Sequence, residues 1–402
     1  MAQELKLGII GVGNMGFDHA KKITAGEVEN LKLVAVCDID EAKRQRIKET
    51  FGDTLEIYDD YHKLLDAHTV DIVLIATPHY LHPVMAVEAF EKGYHVISEK
   101  PAGVYTSAVR KMNEAAVKSG KAFGIDFNQR TNPLYIKARE IVQSGALGEP
   151  RRLVWIITNW YRTQAYYDSG SWRATWGGEG GGVLLNQCPH QLDLWQWIFG
   201  MPVKIRATCN VGKYHNIEVE DDAQIFAEYA NGATATFITT TGEFPGTNRT
   251  EIVGSKGKIV IEDGKLKWWK LEKDDREVCK TEKDGFPSIP YEYEEYAPEG
   301  VGRAHMGIIQ SVVDHILTGS EMLSPGCDGI NALTISNAAF LSSWTGKDIT
   351  LPIDEKLYEE ELKKRVDASD KVFSFTSSAT AGNFGSSFGD EKDCEERWKV
   401  HW

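Results

Sequence analysis

Short apolar runs alternate with helix-spaced apolar positions along residues 1–128. Leu5–Ile10, Leu31–Cys37, Asp71–Ala76, His95–Ser98 and Ala122–Phe127 read as strands. Asn14–Ile23, Glu41–Phe51, His82–Lys92 and Tyr105–Ser119 read as helices between them. Asp71–Ala76 is apolar almost throughout, as suits a strand covered on both faces. This alternation predicts parallel βαβ units in a doubly wound sheet. After Gly148-Glu149-Pro150 the pattern becomes strand-rich: Arg152–Trp160, Val203–Val211, Asp222–Tyr229, Ala233–Thr241, Thr250–Val253 and Lys258–Ile261. Turn residues such as Asn231-Gly232 punctuate these runs, which predicts an open, mostly antiparallel sheet. Two amphipathic helices follow, His305–Leu317 and Gly329–Thr345. Thr376–Asp390 is rich in Gly and Ser and reads as a flexible tail, with Trp398 and Trp402 as candidate docking residues beyond it. The expected organisation is a Rossmann domain over 1–128, an α+β substrate and oligomerisation domain over 129–368, and a tail over 369–402.

Composition narrows the class. The 402 residues are 42 % hydrophobic and 26 % charged, too apolar for a disordered chain. Lys+Arg number 45 against 59 Asp+Glu, a net charge of −14, which argues against a nucleic-acid partner. No apolar run reaches the length of a membrane span, and no basic stretch leads into an apolar core at the N-terminus. The six cysteines, Cys37, Cys188, Cys209, Cys279, Cys327 and Cys394, contain no C-x-x-C pair. They read as free thiols in a reducing cytoplasm, with Cys188 a small packed residue.

Gly11-Val12-Gly13-Asn14-Met15-Gly16 fits G-x-G-x-x-G directly after an apolar strand and at the opening of a helix. Gly11 suits the tight turn, Gly13 the approach of a pyrophosphate, and Gly16 close helix–strand packing. The N–H groups at a helix start face phosphates. Asp38 ends the second strand, where an acid bonds ribose hydroxyls and repels a 2′-phosphate, and Ile39 follows rather than Arg. The expected cofactor is NAD. The less favoured alternative is that Asp38 caps the helix that begins at Glu41, and one residue can serve both purposes. Thr77-Pro78-His79 lies at the carboxyl end of a central strand, where such sheets bind ligands. Thr77 or His79 would contact a ribose, and His82 would start the next helix. No third ligand accompanies His79 and His82, so no metal is expected.

Glu99-Lys100-Pro101 follows the fourth strand, and Gly180-Gly181-Gly182-Val183-Leu184-Leu185-Asn186-Gln187-Cys188-Pro189-His190-Gln191-Leu192-Asp193 lies in the second half. With the glycine fingerprint, Gly254-Ser255-Lys256-Gly257 and Leu351-Pro352-Ile353-Asp354, these resemble the Gfo/Idh/MocA oxidoreductase family over residues 5–353. The resemblance implies a two-domain fold with the nicotinamide against the open sheet. It makes Lys100 and His190 the catalytic pair, with Glu99, Lys100, Trp172 and Arg173 beside the cofactor. Many members carry Asp where this chain has Asn186. Asn cannot take the proton but can bond a hydroxyl. The relay is then Lys100 and His190 alone, or it follows another route.

That pair suits oxidation of a secondary alcohol, which sheds a hydride from carbon and a proton from oxygen. The proton needs a base with a pKa near the working pH. A desolvated Lys beside another cation qualifies, and so does His; the base could be either. Asn128, Asn186 and Gln187 are candidate hydroxyl partners. Six of the eleven Trp fall between Trp155 and Trp197. Trp160, Tyr161, Arg162 and Trp176 could present flat faces and donors to a sugar ring, or fill the core. Trp195 and Trp197 are expected in the core. No basic cluster suggests a phosphorylated substrate. The expectation is an NAD-dependent sugar or glycoside dehydrogenase, with ring carbon 3 as the favoured position. Alternatives are an NAD-retaining glycoside hydrolase or lyase that oxidises transiently, a cyclitol dehydrogenase, and a silent NAD sensor. One uncovered sheet face predicts a homo-oligomer, a dimer, tetramer or larger.

Overall fold

The computed structural model describes residues 4–170 and 172–369. The predicted tail and Trp398, Trp402 and Cys394 lie outside the described residues. Among those described, the strands form two sheets. The first contains β1 (Leu5–Ile10), β2 (Leu31–Cys37), β3 (Glu56–Tyr58), β4 (Ile72–Ile75), β5 (His95–Ser98) and β6 (Phe123–Ile125). Its order is β3-β2-β1-β4-β5-β6 and every pair is parallel. All four residues of β4 are buried, as its apolar run requires. The order reverses between β1 and β4, and a crevice opens at such a switch point.

The second sheet contains β7 (Pro150–Ile157), β8 (Lys204–Val211), β9 (Glu220–Glu228), β10 (Thr234–Thr240), β11 (Asn248–Gly254), β12 (Gly257–Glu262), β13 (Lys265–Leu271), β14 (Tyr291–Tyr296) and β15 (Ile349–Thr350). Its order is β14-β13-β12-β11-β7-β10-β9-β8-β15. Pairing is antiparallel except between β7 and β10. Inward residues such as Ile225 and Phe237 are buried against the helices Pro189–Phe199 and Gly329–Thr345, while Gln224 and Phe226 on the other face are exposed. The fold is thus a Rossmann domain joined to an α+β domain with a large, mostly antiparallel sheet.

Several elements leave no mark in the apolar pattern. β14 is Tyr-Glu-Tyr-Glu-Glu-Tyr and exposed throughout, so it has no apolar alternation to detect. The helices Tyr61–Ala67, Pro133–Gln143, Asp275–Thr281 and Glu355–Asp367 also went unpredicted. The helix Ala304–Thr318 falls within 129–368 by sequence. Its Met306, Ile309, Val312 and Val313 nevertheless pack into the core of the first sheet with Leu7, Ile9 and Leu74. The chain therefore returns to its first half after building the second.

Candidate active site

The glycine turn has the geometry its residues suggest. Gly11 has φ +90°, and a Cβ there would meet the Ala76 carbonyl oxygen at 2.6 Å. A Cβ on Gly16 would sit 1.9 Å from the Gly11 oxygen, so only glycine allows this helix to lie on β1. Gly13 is the N-cap of the helix Asn14–Thr24, and a Cβ on it would meet nothing within 4 Å. Open space thus faces the helix start, as a pyrophosphate cradle needs. Asn14 and Met15 begin that helix. Asp38 holds the turn from the second strand: Oδ2 accepts from Val12 N at 2.9 Å and Oδ1 from Asp40 N at 2.9 Å. The capping role belongs to Asp40, which accepts from Ala42 N. Arg44 donates to the Asp38 carbonyl at 2.7 Å, and Ile39 is exposed beside it.

Thr77, Pro78 and His79 continue from β4 into the crevice. His79 Nδ1 bonds the Glu179 carbonyl at 2.9 Å, and its ring meets Trp172 edge-on. Burial, then His82 and Lys100, hold its pKa well below 6.5, so the ring is neutral. His82 lies in the first turn of the helix Leu81–Glu91, and both its ring nitrogens face backbone carbonyls, those of Pro101 and Thr77. Neither is turned toward an ion shared with His79.

β5 delivers Glu99 and Lys100. Lys100 Nζ donates to the Asn186 carbonyl at 2.9 Å, which ties the two halves of the crevice together. Its pKa is lowered, first by burial and, among nearby charges, by Arg173; Glu99 and Glu179 oppose the shift. His190 sits in the first turn of the helix Pro189–Phe199, where Pro189 at the start fixes the entry of the chain. It is buried edge-on against Phe127. Burial and then the Lys100 charge depress its pKa well below 6.5. Its Nδ1 accepts or donates no hydrogen bond among the described residues. The neighbouring Asp193 does not satisfy it: that carboxylate is paired with Arg130 at 2.7 Å.

Asn186 donates through Nδ2 to the buried carboxylate of Glu179, whose other oxygen accepts from Ala174 N at 2.7 Å. Burial raises the Glu179 pKa, and Arg173 opposes it from 3.9 Å. The sequence expectations missed Glu179, although it directly precedes the glycine run. Tyr166, in the Gln164–Tyr167 run whose aromatics also read as possible sugar-facing surfaces, sits inside this network. Its hydroxyl receives Arg173 Nη1 at 2.9 Å and Gln187 Nε2 at 3.2 Å, and the Arg162 guanidinium lies over its ring. Asn128 contacts His305, Nδ2 to Nε2, at 3.0 Å. Tyr161 is exposed beside Phe244, whereas Trp160 is buried.

Two tryptophan expectations need correction. Trp176 offers no face to a ligand, because its ring is buried edge-on against Phe340 and Trp344. Trp197 is only half-buried, under the guanidinium groups of Arg130 and Arg139. Trp195 is in the core, stacked on Phe237.

The family description "oxidoreductase family, NAD-binding Rossmann fold" matches residues 5–127, and the GFO/IDH/MocA C-terminal domain matches residues 135–260. The chain belongs to the Gfo/Idh/MocA family. Its cofactor is NAD, for which the glycine cradle and Asp38 are suited. Inositol 2-dehydrogenase from Salmonella typhimurium is 33 % identical over 147 residues, 36 % of this chain. The chain spans 44 % of that relative's length, less than half. Myo-inositol 2-dehydrogenase from Thermotoga maritima is 24 % identical over 83 % of this chain and 95 % of its own. Among solved structures, the WlbA dehydrogenase from Bordetella pertussis, in complex with NADH and UDP-GlcNAcA, has a TM-score of 0.74 at 23 % identity. That likeness covers 88 % of this chain and 99 % of the other. No helix of the described residues is long and apolar enough to cross a membrane.

Proposed function

We propose that this family member oxidises a secondary hydroxyl of a sugar, cyclitol or glycoside, with Lys100 and His190 handling the proton. One observation carries the reading: Lys100, desolvated, holds its Nζ on the Asn186 carbonyl, and its charge is felt by the buried His190. NAD, when bound, supplies a hydride acceptor. Gly11, Gly13, Asn14, Met15, Gly16 and Asp38 would hold its nucleotide, and Thr77, Pro78, His79, His82, Glu99, Trp172 and Arg173 its nicotinamide half. Neutral Lys100 takes the hydroxyl proton. Neutral His190 hydrogen-bonds the same hydroxyl, and Asn186, held through Nδ2 by Glu179, turns Oδ1 toward a second one. Gln187, Asn128, Tyr161 and Arg162 would line the substrate side, and Trp160, buried in the core, would support them from behind. The inositol dehydrogenases among the relatives support a polyol ring as substrate class. The Asn186–His190 segment resembles the branch that oxidises glycosides, free sugars and cyclitols, and a glycoside oxidised at ring carbon 3 is the favoured reading within that class.

A panel of cyclitols, free sugars and glycosides, followed by NADH absorbance, tests the proposal. NADH formation on at least one polyol ring is expected, and its loss in Lys100→Ala. Turnover left unchanged by Lys100→Ala would overturn the mechanism. Repeated aglycone release from a chromogenic glycoside without added NAD would replace net oxidation by a redox-neutral cycle.

A further inference from the structure

A second cluster of polar side chains lies behind the Lys100–His190 centre and joins the two halves of the chain. His19 comes from the helix Asn14–Thr24, Glu99 follows β5, Asp126 follows β6, and His305 opens the helix Ala304–Thr318. One nitrogen or oxygen from each lies within 4.8 Å of those of the other three. His19 Nε2 is 2.7 Å from Glu99 Oε1 and 3.6 Å from Asp126 Oδ2. His305 Nδ1 is 3.0 Å from Asp126 Oδ2 and 4.0 Å from Glu99 Oε1. Zinc–ligand bonds of about 2.0–2.2 Å set the corners of a tetrahedron about 3.3 Å apart, and these four separations scatter around that value.

Asp126 decides between a cluster of ordinary hydrogen bonds and a cation site. It is fully buried, and among the described residues neither of its carboxylate oxygens accepts a hydrogen bond. The nearby His305 Nδ1 does not have the angle of a donor to it. A buried carboxylate needs a compensating cation; Asp126 raises the pKa of His305 beside it, so either the His305 imidazolium or a metal ion can supply the charge, and metal content tells them apart. Glu99 is prepared on one side only: Oε2 accepts from Lys100 N at 3.2 Å while Oε1 faces the cluster. Asn128 supplies the outer contact to His305. A flip of its amide fills the same volume and sets its unpartnered Oδ1 against Nε2–H, leaving the Nδ1 lone pair for the cluster. Two neutral imidazoles, two carboxylates and one divalent cation sum to zero charge, which suits a buried place.

We propose that His19, Glu99, Asp126 and His305 form a closed four-coordinate site for a divalent transition-metal ion, zinc by its geometry, that pins the helix Ala304–Thr318 to the Rossmann domain. With four protein ligands the ion has no open position and is structural. The ligands are spread from position 19 to position 305, so no spacing motif announces them. The expectation of no metal rested on His79 and His82 and did not reach this cluster.

The full chain, purified without chelator, is incubated with Zn²⁺, desalted and analysed for metal. About one zinc per chain is expected, falling below about 0.1 in Asp126→Asn and His305→Gln. Chelation should lower the unfolding temperature of the parent chain and leave that of the variants unchanged. Should the variants fail to fold, Co²⁺ loading of the parent decides: the ligand-field spectrum of four-coordinate cobalt is expected. Zinc below about 0.1 per chain, zinc retained in both variants, or an octahedral cobalt spectrum would each overturn the site. In the first case a protonated His305, not a metal, compensates Asp126. None of these readouts depends on catalytic activity, so the proposed oxidation stands or falls separately.

Discussion

Lys100 Nζ donates to the backbone carbonyl of Asn186 at 2.9 Å. The lysine follows β5 of the first sheet, and the asparagine precedes the helix that carries His190. One hydrogen bond thus ties the proposed proton acceptor of one domain to the proposed substrate-side segment of the other.

Both members of the pair have depressed pKa values, but with different consequences. Lys100 must be unprotonated to accept a proton, so activity is lost as pH falls through its pKa. Burial lowers that pKa from the ordinary 10.5, moving the limb toward neutrality. His190, well below 6.5, is already neutral there and does not set the limb. In a kcat/KM profile against pH, Lys100→Ala is expected to lose roughly 10²–10⁴-fold and to flatten the acid limb. His190→Asn is expected to lower the rate and keep the limb. A limb that survives in Lys100→Ala would assign it to another group.

Two glycines of the turn separate folding from cofactor binding. Gly16→Ala drives a Cβ into the Gly11 carbonyl and should reduce soluble yield or melting temperature. Gly13→Ala meets no protein atom, so the fold should survive while the new methyl intrudes on the pyrophosphate. Circular dichroism and NAD titration of both variants check this. Unimpaired NAD binding in Gly13→Ala would move the phosphate away from the helix start.

Arg130 is buried and paired with Asp193 through two hydrogen bonds, at 2.8 and 2.7 Å, and with Asp328 at 2.8 Å. Removing the cation strands a carboxylate in the core. Arg130→Met should cost about 3–5 kcal/mol in denaturant unfolding, whereas breaking an exposed pair such as Lys63–Asp59 should leave stability almost unchanged. Equal losses would mean that water reaches Asp193.

The outer face of the second sheet exposes Arg206 and Phe226 as cross-strand partners, with Thr208 and Gln224 beside them. Light scattering is expected to give at least twice the chain mass. A monomer at micromolar concentration would mean that this face tolerates water.

Local chemistry made part of this legible. A fingerprint such as Gly11–Gly16 acts through its own backbone and the adjoining strand, so its turn, its packing and its open N-terminus follow from the residues in order. The buried strands β1, β2 and β4 were legible for the same reason, since each must be apolar to be covered on both faces. Trp176 and Glu179 were not. Both lie in a segment without regular periodicity, and which of them meets the crevice depends on how the second domain packs against Phe340 and Trp344.

The sequence by itself determined the Rossmann half and its NAD cradle, because each is encoded by neighbours along the chain, whereas the pairing of Lys100 with His190 came only from the family resemblance. Tertiary structure alone decided three further points. It set Glu179 against Asn186, buried Trp176 in the core, and folded the helix Ala304–Thr318 back to bring His305 beside His19, Glu99 and Asp126. The second and third join positions far apart in the chain, and the first depends on a loop without regular periodicity, so only the packing of the folded chain brings them within bonding distance.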